Sequence, residues 1–286
     1  DNLQLPPNSY VVRIKEIEVG SSDIRPNRLL VMDASGDTID LPGTETIEPT
    51  FGLPAMWVDP DNREEATFKG YTVVDPATVI TTHLTELIRD NMSELLSYVE
   101  TQNLLDELPN EHQKLVGEVV PNQISVGGIQ RVLQNLLNER VSIRDLPTIL
   151  EGISEACAFT RNVTQITEHV RSRLARQISE QNSTEDNFIP LVTLSAEWEQ
   201  IFSDSILDQG EDKQLSMAPS QLQRFIGAVR NTLDELADKE DPPVVLTSPS
   251  ARPFVRSIIE RFRPATSIMS QNELHPKAKI KTLGQI

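Results

Sequence analysis

The sequence predicts a multidomain α+β protein with a small β-rich subdomain, a central helical bundle and a C-terminal α/β subdomain built on a small sheet. Three observations indicate this fold class. Short β-branched runs dominate up to about residue 75, an apolar period of three to four residues follows to about residue 178, and strand-like and helix-like segments then alternate to the end. The chain has 286 residues, which is enough for more than one core, since single cores usually stop growing at roughly 250 residues.

Four runs near the N-terminus are typical of strands, because each is rich in apolar or β-branched residues and is bounded by Gly, Pro, Asp or Asn. These runs are residues 10–14, 28–32, 55–58 and 71–74. The apolar phase slips between Ile14 and Ile17, which predicts a β-bulge near Lys15 and Glu16.

The period changes at Asp75-Pro76, where Asp75 suits a helix N-cap and Pro76 the first helical position. The apolar stripe that follows predicts a continuous helix reaching Val99. Ser125 and Asp145 are predicted caps of two further helices, and a last stripe predicts that the bundle ends at residue 178.

A polar cluster at residues 179–187 predicts a linker to the C-terminal subdomain. The predicted strands of that subdomain are residues 189–194, 244–246, 267–269 and 279–283, and its predicted helices are residues 198–207, 221–236 and 254–262. The alternation predicts helices packed on a small sheet.

The charge balance excludes some partners. With 26 Lys plus Arg against 43 Asp plus Glu, the net charge of −17 repels nucleic acid and anionic lipid at long range. The chain lacks a long apolar run and its start, Asp1-Asn2-Leu3-Gln4, lacks a signal peptide, so we expect a soluble, cytoplasmic piece. An initiator Met is absent, which leaves room for a membrane anchor upstream. The single Cys157 excludes an intrachain disulfide and is expected to be buried.

Motifs for chemistry are missing from the sequence. It has no Gly-rich phosphate loop, no G-x-S-x-G elbow and no metal-ligand spacing among its four His residues, so we expect no catalytic, cofactor or metal site and no enzyme. His83 is expected on a helix surface or at an interface. An alternative of another class is a hydrolase or transferase that uses the turn 247–250, where a helix N-terminus could hold an anion.

The segment 125–152 has the outline of a helix-turn-helix, but the negative net charge disfavours DNA binding. Two packed helices of a bundle are the simpler interpretation. Arg131, Arg140 and Arg144 of this segment are candidates for pairing with acidic groups of a neighbouring subunit.

Apolar residues occur at 51–57, directly after a Pro-rich stretch, where a loop should be polar. Phe51 is the outstanding residue. It either plugs a core under the loop or forms part of a partner-binding hollow, because aromatic anchors rimmed by polar groups are typical of protein interfaces.

Several longer motifs carry a resemblance to a known family. They are the runs at residues 41–43, 49–53, 70–84, 104–106, 119–121, 132–137 and 141–151. In this order they resemble the export-gate family of type III secretion systems, the flagellar branch more closely than the injectisome branch. The resemblance covers essentially the whole chain, strongly over 40–155 and weakly after residue 180.

The resemblance implies a membrane protein whose cytoplasmic region has four subdomains and forms a ring beneath the export channel. On that pattern residues 1–26 are the remnant of a first subdomain truncated upstream, 27–75 the second, 76–95 a return segment of the first, 96–178 the helical third and 179–286 the fourth. The implied function is a docking platform at the cytoplasmic face of the bacterial inner membrane that binds export chaperone–cargo complexes and orders their secretion. The ATPase complex and a switch-type gate component are implied partners, and an injectisome gate is the alternative within the family.

The resemblance also implies a docking site in a hollow between the first and second subdomains. It assigns Phe51 as apolar anchor, Glu48 as rim charge and Thr82 as a hydrogen-bonding lip. Further possible walls of the hollow are Val73, Val74 and Pro76. Glu48 stands where an Asp is familiar in the family, so the charge is retained on a longer arm.

Overall fold

An antiparallel sheet of four short strands organises the N-terminal part of the chain. The computed structural model describes residues 4–210, 212–236 and 241–286, so residues 1–3 of the predicted first segment lie outside the described part. The chain divides into two units, Asp1–Leu95 and Leu96–Ile286. The finer division into five segments stays a prediction.

The strands of the first unit are β1 (Ser9–Ile14), β2 (Ile17–Asp23), β3 (Leu29–Met32), β4 (Gly43–Ile47), β5 (Pro54–Val58) and β6 (Thr72–Val74). Its helices are α1 (Arg63–Phe68), α2 (Pro76–Asp90) and α3 (Met92–Leu95). The sheet has the order β4-β5-β3-β6 with antiparallel neighbours, and β1 and β2 form a separate hairpin.

The two faces of the four-stranded sheet bury different clusters, because successive side chains of a strand point to opposite faces. One face carries Leu30 and Trp57, which pack with Val79 of α2. The other face carries Val31 and Val58 and packs with Ala66 of α1. The sheet is therefore covered on both sides within this unit.

Lys15 and Glu16, where the sequence predicts a bulge, form a hairpin turn, and the irregularity of this hairpin lies between Val12 and Arg13, where the register shifts. Ile14 pairs with Ile17, and the two residues between them have φ values of 48° and 68°. Positive φ at both central residues is the requirement of the type I′ turn that joins twisted strands. The apolar phase slips at this point because the chain reverses. The sequence prediction assigned a bulge instead of a turn, so it missed β2, the strand that follows the turn.

Helix α2 begins where the sequence predicts, since the Asp75 side chain accepts a 2.8 Å hydrogen bond from the Thr78 N–H. The predicted continuous helix to Val99 is wrong. Asn91 caps α2, and after α3 a new helix begins behind the N-cap Ser97. Val99, 63% exposed, does not belong to the buried stripe.

The second unit opens with six helices: α4 (Tyr98–Asp106), α5 (Asn110–Val119), α6 (Val126–Asn138), α7 (Leu146–Cys157), α8 (Val163–Arg173) and α9 (Ala175–Gln181). Ser125 and Asp145 cap α6 and α7 as predicted, by accepting from the N–H groups of Gly128 and Thr148. The apolar faces of these helices share one core, in which Cys157 is buried as expected.

The rest of the unit contains β7 (Ile189–Thr193), α10 (Ala196–Ser205), β8 (Ile206–Gln209), β9 (Asp212–Leu215), α11 (Pro219–Glu235), β10 (Val244–Thr247), α12 (Arg252–Ile259), β11 (Ile268–Ser270) and β12 (Ile280–Gln285). The order β11-β10-β7-β12 is parallel throughout. Strands β8 and β9 form a hairpin that the sequence prediction missed.

The predicted linker at 179–187 begins too early. Helix α9 continues to Gln181, and Ser179 is buried, donating a 2.9 Å hydrogen bond to the Glu273 carbonyl. Leu191 and Met269 of the sheet belong to the same apolar cluster as the bundle. The helical part and the sheet of this unit therefore share a core.

An ion cluster, called here the buried ion cluster although only Arg171, Arg252 and Glu273 are fully buried and its other members are half-buried, joins the same two parts. It consists of six side chains: Glu139, Glu168, Arg171, Arg252, Arg256 and Glu273. Arg252, only 1% exposed, donates to both carboxylate oxygens of Glu139 at 2.7 and 2.8 Å and to both of Glu168 at 2.7 and 2.8 Å. Arg171 likewise binds both oxygens of Glu273, at 2.7 and 3.1 Å.

Within this cluster Glu139 contacts three guanidinium groups, those of Arg171, Arg252 and Arg256. Burial acts to raise the pKa of Glu139, but the charges of Arg252, Arg171 and Arg256 outweigh it and lower this pKa from 4.5 to about 2. A lowered folded-state pKa means that the ionised carboxylate stabilises the fold above the unfolded-state pKa. That stabilisation is lost as the pH falls towards 2.

We predict that Glu139→Gln lowers the free energy of unfolding by about 3 kcal/mol at pH 7, as the lowered pKa implies. The difference between the parent protein and the variant should shrink between about pH 4.5 and about pH 2, where the parent carboxylate also becomes neutral. Urea unfolding at a series of pH values measures both quantities.

The matched control is Glu197→Gln, which removes the carboxylate that pairs with Arg224. This pair is exposed, because the side chain of Glu197 is 70% exposed and that of Arg224 is 56% exposed. Exposed pairs contribute roughly 0–1 kcal/mol, so this variant should unfold like the parent. Equal effects of the two substitutions at pH 7 would contradict the role given to Glu139.

Candidate functional site

The segment Glu48–Leu53, called here the Phe51 turn, connects β4 to β5. Its backbone is closed by two hydrogen bonds, from Glu48 N–H to the Leu53 carbonyl at 2.9 Å and from Gly52 N–H to the Glu48 carbonyl at 3.0 Å. Gly52 has a φ of +70°, a conformation that costs glycine little. The Phe51 side chain, 65% exposed, lies at this turn, so it does not plug a core.

Glu48 fixes the Phe51 turn from inside. Its Oε2 atom accepts hydrogen bonds from the backbone N–H groups of Thr50 at 2.9 Å and Phe51 at 2.6 Å. Glu48 is only 3% exposed, so the predicted rim charge is wrong in its placement. The physical reason is local: two otherwise unpaired N–H groups face the carboxylate, and charge-assisted hydrogen bonds of this kind are strong.

A second group of residues joins the β1–β2 hairpin to α2. The Tyr10 hydroxyl lies 2.6 Å from Nδ1 of His83, and their rings meet edge-on with centroids 5.8 Å apart. Burial raises the pKa of Tyr10, and the negative charge of Glu48 adds to the rise. The β1–β2 hairpin is therefore hydrogen-bonded to α2 through Tyr10 and His83.

His83 is buried, which corrects the expectation of a helix-surface residue. Its neighbour in space is Gly20 of β2, where a Cβ atom would lie 3.1 Å from His83 Nε2 and 2.5 Å from a methyl group of Leu87. The hairpin thus approaches α2 as closely as a glycine allows. Thr82 precedes His83 on the same helix and is half-buried.

The predicted walls of the hollow do not all lie on one side of the sheet. Val74 packs with the cluster that contains Val79 of α2, whereas Val73 packs with the cluster on the opposite face. Because neighbouring residues of β6 alternate between faces, Val73 lies on the face away from α2 and cannot line a hollow beside Thr82. Val74 is on the α2 side, and Pro76 is half-buried at the first position of α2.

Ile47 is an exposed apolar residue that the sequence analysis missed. It ends β4, is 67% exposed and lies next to the Phe51 turn. Leu84 and Ile88 of α2 are also partly exposed, at 39% and 44%. Tyr10 and His83 were missed as site residues because their pairing spans 73 positions, which no local pattern reveals. The one local signal for an exposed apolar residue was the position of Ile47 directly before Glu48-Pro49, at the start of a turn.

The arginines proposed for subunit contacts lie on the second unit. Arg131, Arg140 and Arg144 are all exposed, and Arg140 follows α6 with a φ of 57°.

The anion position of the alternative enzyme hypothesis is already filled. Glu199 Oε1 accepts hydrogen bonds from the Thr247 hydroxyl and the Ser248 N–H, both at 2.9 Å. The turn 247–250 therefore binds a carboxylate of the chain itself. Within residues 4–210, 212–236 and 241–286, no three potential metal ligands converge. In the same ranges no helix combines the length and apolar character that crossing a membrane requires.

Comparisons with known proteins identify the class to which this fold and surface belong. Residues 1–279 match the model of the FHIPEP family, and the chain belongs to that family. It is 54% identical over 286 residues to the flagellar biosynthesis protein FlhA of Caulobacter vibrioides, covering all of this chain and 41% of that protein. The chain thus spans about two fifths of this relative's length. The resemblance found in the sequence is confirmed.

Two solved structures agree with the architecture. The Chlamydia pneumoniae CdsV protein superimposes with a TM-score of 0.87 at 27% identity, covering 100% of this chain and 82% of the other. A complex of CdsV with the CdsO protein gives a TM-score of 0.84 at 26% identity, covering 99% and 82%. They confirm the predicted α+β multidomain fold.

We predict that Glu48→Ala loosens the Phe51 turn without unfolding the unit. The N–H groups of Thr50 and Phe51 lose their acceptor, so their amide hydrogen exchange should accelerate by about tenfold or more, as for a lost charge-assisted bond. Exchange measured by NMR reports both amides directly. Glu45→Ala, an exposed acidic residue of the neighbouring β4, is the control and should leave both rates unchanged. Identical rates in all three proteins would contradict the role given to Glu48.

Proposed function

We propose that this chain is part of the docking platform of a flagellar type III protein export gate, and that its Phe51 turn binds export chaperone–cargo complexes. The chain belongs to the FHIPEP family and is 54% identical to a flagellar biosynthesis protein. The observation that carries the proposal is the 65% exposure of Phe51 on a turn whose backbone is held by Glu48. An exposed aromatic side chain at a fixed position loses little entropy on binding, which suits an interface anchor.

Each residue of the predicted site has a distinct role in this proposal. Phe51 is the anchor that enters an apolar recess of the partner, with Ile47 beside it. Thr82 is the hydrogen-bonding lip, and Val74 and Pro76 line the α2 side. Glu48 is a positioning residue rather than a contact residue, because its carboxylate is engaged by the turn.

The setting of the platform is part of the same proposal. The longer protein would place it at the cytoplasmic face of the bacterial inner membrane, where it would order the secretion of its cargo. The ATPase complex and a switch-type gate component are further proposed partners. The complex between CdsV and CdsO supports partner binding by this fold. An injectisome gate remains the alternative, which the higher identity to a flagellar relative disfavours.

We predict that Phe51→Ala weakens binding of a purified flagellar chaperone–cargo complex by about thirtyfold or more, the loss typical of an aromatic hot spot. Isothermal titration with the chaperone–cargo pair from the same cell measures the loss. The melting temperature should stay unchanged, since Phe51 contributes little to the core.

The matched control is Phe68→Ala, because Phe68 ends α1 in the same unit and is 92% exposed. This variant removes the same exposed ring at another place and should bind like the parent protein. The site assignment would be refuted by parent-like binding of Phe51→Ala. Parent protein that binds no chaperone–cargo pair would refute the function itself.

We further propose that Arg131, Arg140 and Arg144 contact acidic groups of a neighbouring copy in a ring. The net charge of −17 supplies an excess of such groups. Reversing the charge of two of these residues, in the variant Arg131→Glu with Arg144→Glu, should therefore abolish self-association in sedimentation velocity at high protein concentration. Arg63→Glu, an exposed residue of α1, is the control. A parent protein that stays monomeric, or a variant that associates equally well, would contradict this contact.

A further inference from the structure

A basic cavity lies in the second unit, far in sequence from the Phe51 turn. It has a volume of about 370 Å³ and is lined by residues of α9 and of the loop that leads into β12. Its lining includes three positively charged residues, Arg176, Lys277 and Lys279, and one acidic residue, Glu180. This local excess of positive charge runs against the net charge of −17 of the chain.

The loop that carries the two lysines is held in place by hydrogen bonds. The His275 N–H donates to Ser179 Oγ at 2.9 Å, and the Ala278 N–H donates to the His275 carbonyl at 2.8 Å. Ser179 in turn donates to the Glu273 carbonyl, so α9 and the loop are tied together. The backbone that presents the positive charges is therefore fixed, which lowers the entropy cost of binding a ligand there.

The cavity is adjacent in sequence to a sheet edge, because Lys279, which lines it, directly precedes β12. Strand β12 pairs with β7 on one side, and no strand pairs with its other side within the described residues. Residues 279–282 are exposed, including the apolar Ile280 at 55%. An open strand edge offers unpaired main-chain donors and acceptors to an extended peptide.

A lysine on an edge strand, such as Lys281 of β12, also prevents unwanted pairing of sheets. That role needs neither a cavity nor a positive charge from another element, yet Arg176 comes from α9 and faces the same cavity as Lys277 and Lys279. A small anion would occupy only part of the 370 Å³ cavity and would leave the neighbouring edge unused. A positively charged cavity next to an open strand edge is best matched by an extended chain that carries negative charge.

We propose that the basic cavity and the open edge of β12 together bind an extended acidic segment of a partner protein. The carboxylates of the segment contact Arg176, Lys277 and Lys279, and its main chain pairs with residues 280–282. This site is separate in sequence from the Phe51 turn and does not depend on the function proposed for that turn.

The test is fluorescence anisotropy of a short labelled peptide of alternating Glu and Val, titrated with the full chain. The variant Lys277→Glu with Lys279→Glu should weaken binding by about tenfold or more, because two attractions become repulsions. The control is Lys114→Glu with Lys213→Glu, two exposed lysines outside the cavity that give the same change in net charge. Binding by the control should stay close to that of the parent protein.

Two further probes separate the parts of the proposal. A peptide of the same charge with alternate N-methylated amides cannot pair with β12 and should bind about tenfold more weakly. Inorganic phosphate should not displace the peptide at matched ionic strength. The proposal is overturned by absent binding to the parent protein, by equal weakening in both double variants, by full binding of the methylated peptide, or by displacement with phosphate, which would indicate a simple anion site.

Discussion

The buried ion cluster around Arg252 is the constraint on which the second unit depends. Taking charged groups out of water is costly, and guanidinium groups with matched geometry offset that cost to different degrees. At Glu139 the arginine charges outweigh burial and lower the pKa, whereas at Glu168 burial outweighs the pairing with Arg252 and raises the pKa. The members come from the end of α6, from α8, from α12 and from the turn after β11. If the bundle and the sheet moved apart, buried charges would lose their partners. The cluster therefore requires the two parts to keep one relative arrangement, whereas an apolar contact alone would tolerate sliding.

The Phe51 turn follows the same principle on a smaller scale. A buried carboxylate is again compensated, but its partners are two backbone N–H groups within three residues of Glu48. Local compensation fixes a short segment without tying it to distant elements. An apolar side chain can thus stay exposed at a defined position, although exposed aromatic residues usually lower their free energy by burial. A charge on the rim would have been one contact among several, whereas a charge inside the turn determines where Phe51 lies.

The sequence predicted the elements whose signals are local. Asp75, Ser125 and Asp145 cap helices because each side chain reaches an N–H group three residues ahead, and such spacing can be read directly. Strand β4 was missed because Gly43–Ile47 is mostly exposed and polar, which resembles a loop. Arg252 and Glu139 are 113 positions apart, so their pairing lies beyond any local pattern. The exposure of Phe51 was left open by the sequence for a related reason, since burial depends on which distant residues cover it.

The basic cavity bears on how net charge should be interpreted. A net charge of −17 argued against nucleic acid and anionic lipid, because the long-range field acts on a partner before contact. At physiological salt, however, charges are screened over about 8 Å, so a ligand in the cavity senses Arg176, Lys277 and Lys279 more strongly than distant carboxylates. The net charge therefore governs how often an acidic partner approaches, and the local charges govern how long it stays. An acidic protein can on these grounds bind an acidic segment, provided that the contact is confined to a region as small as this cavity.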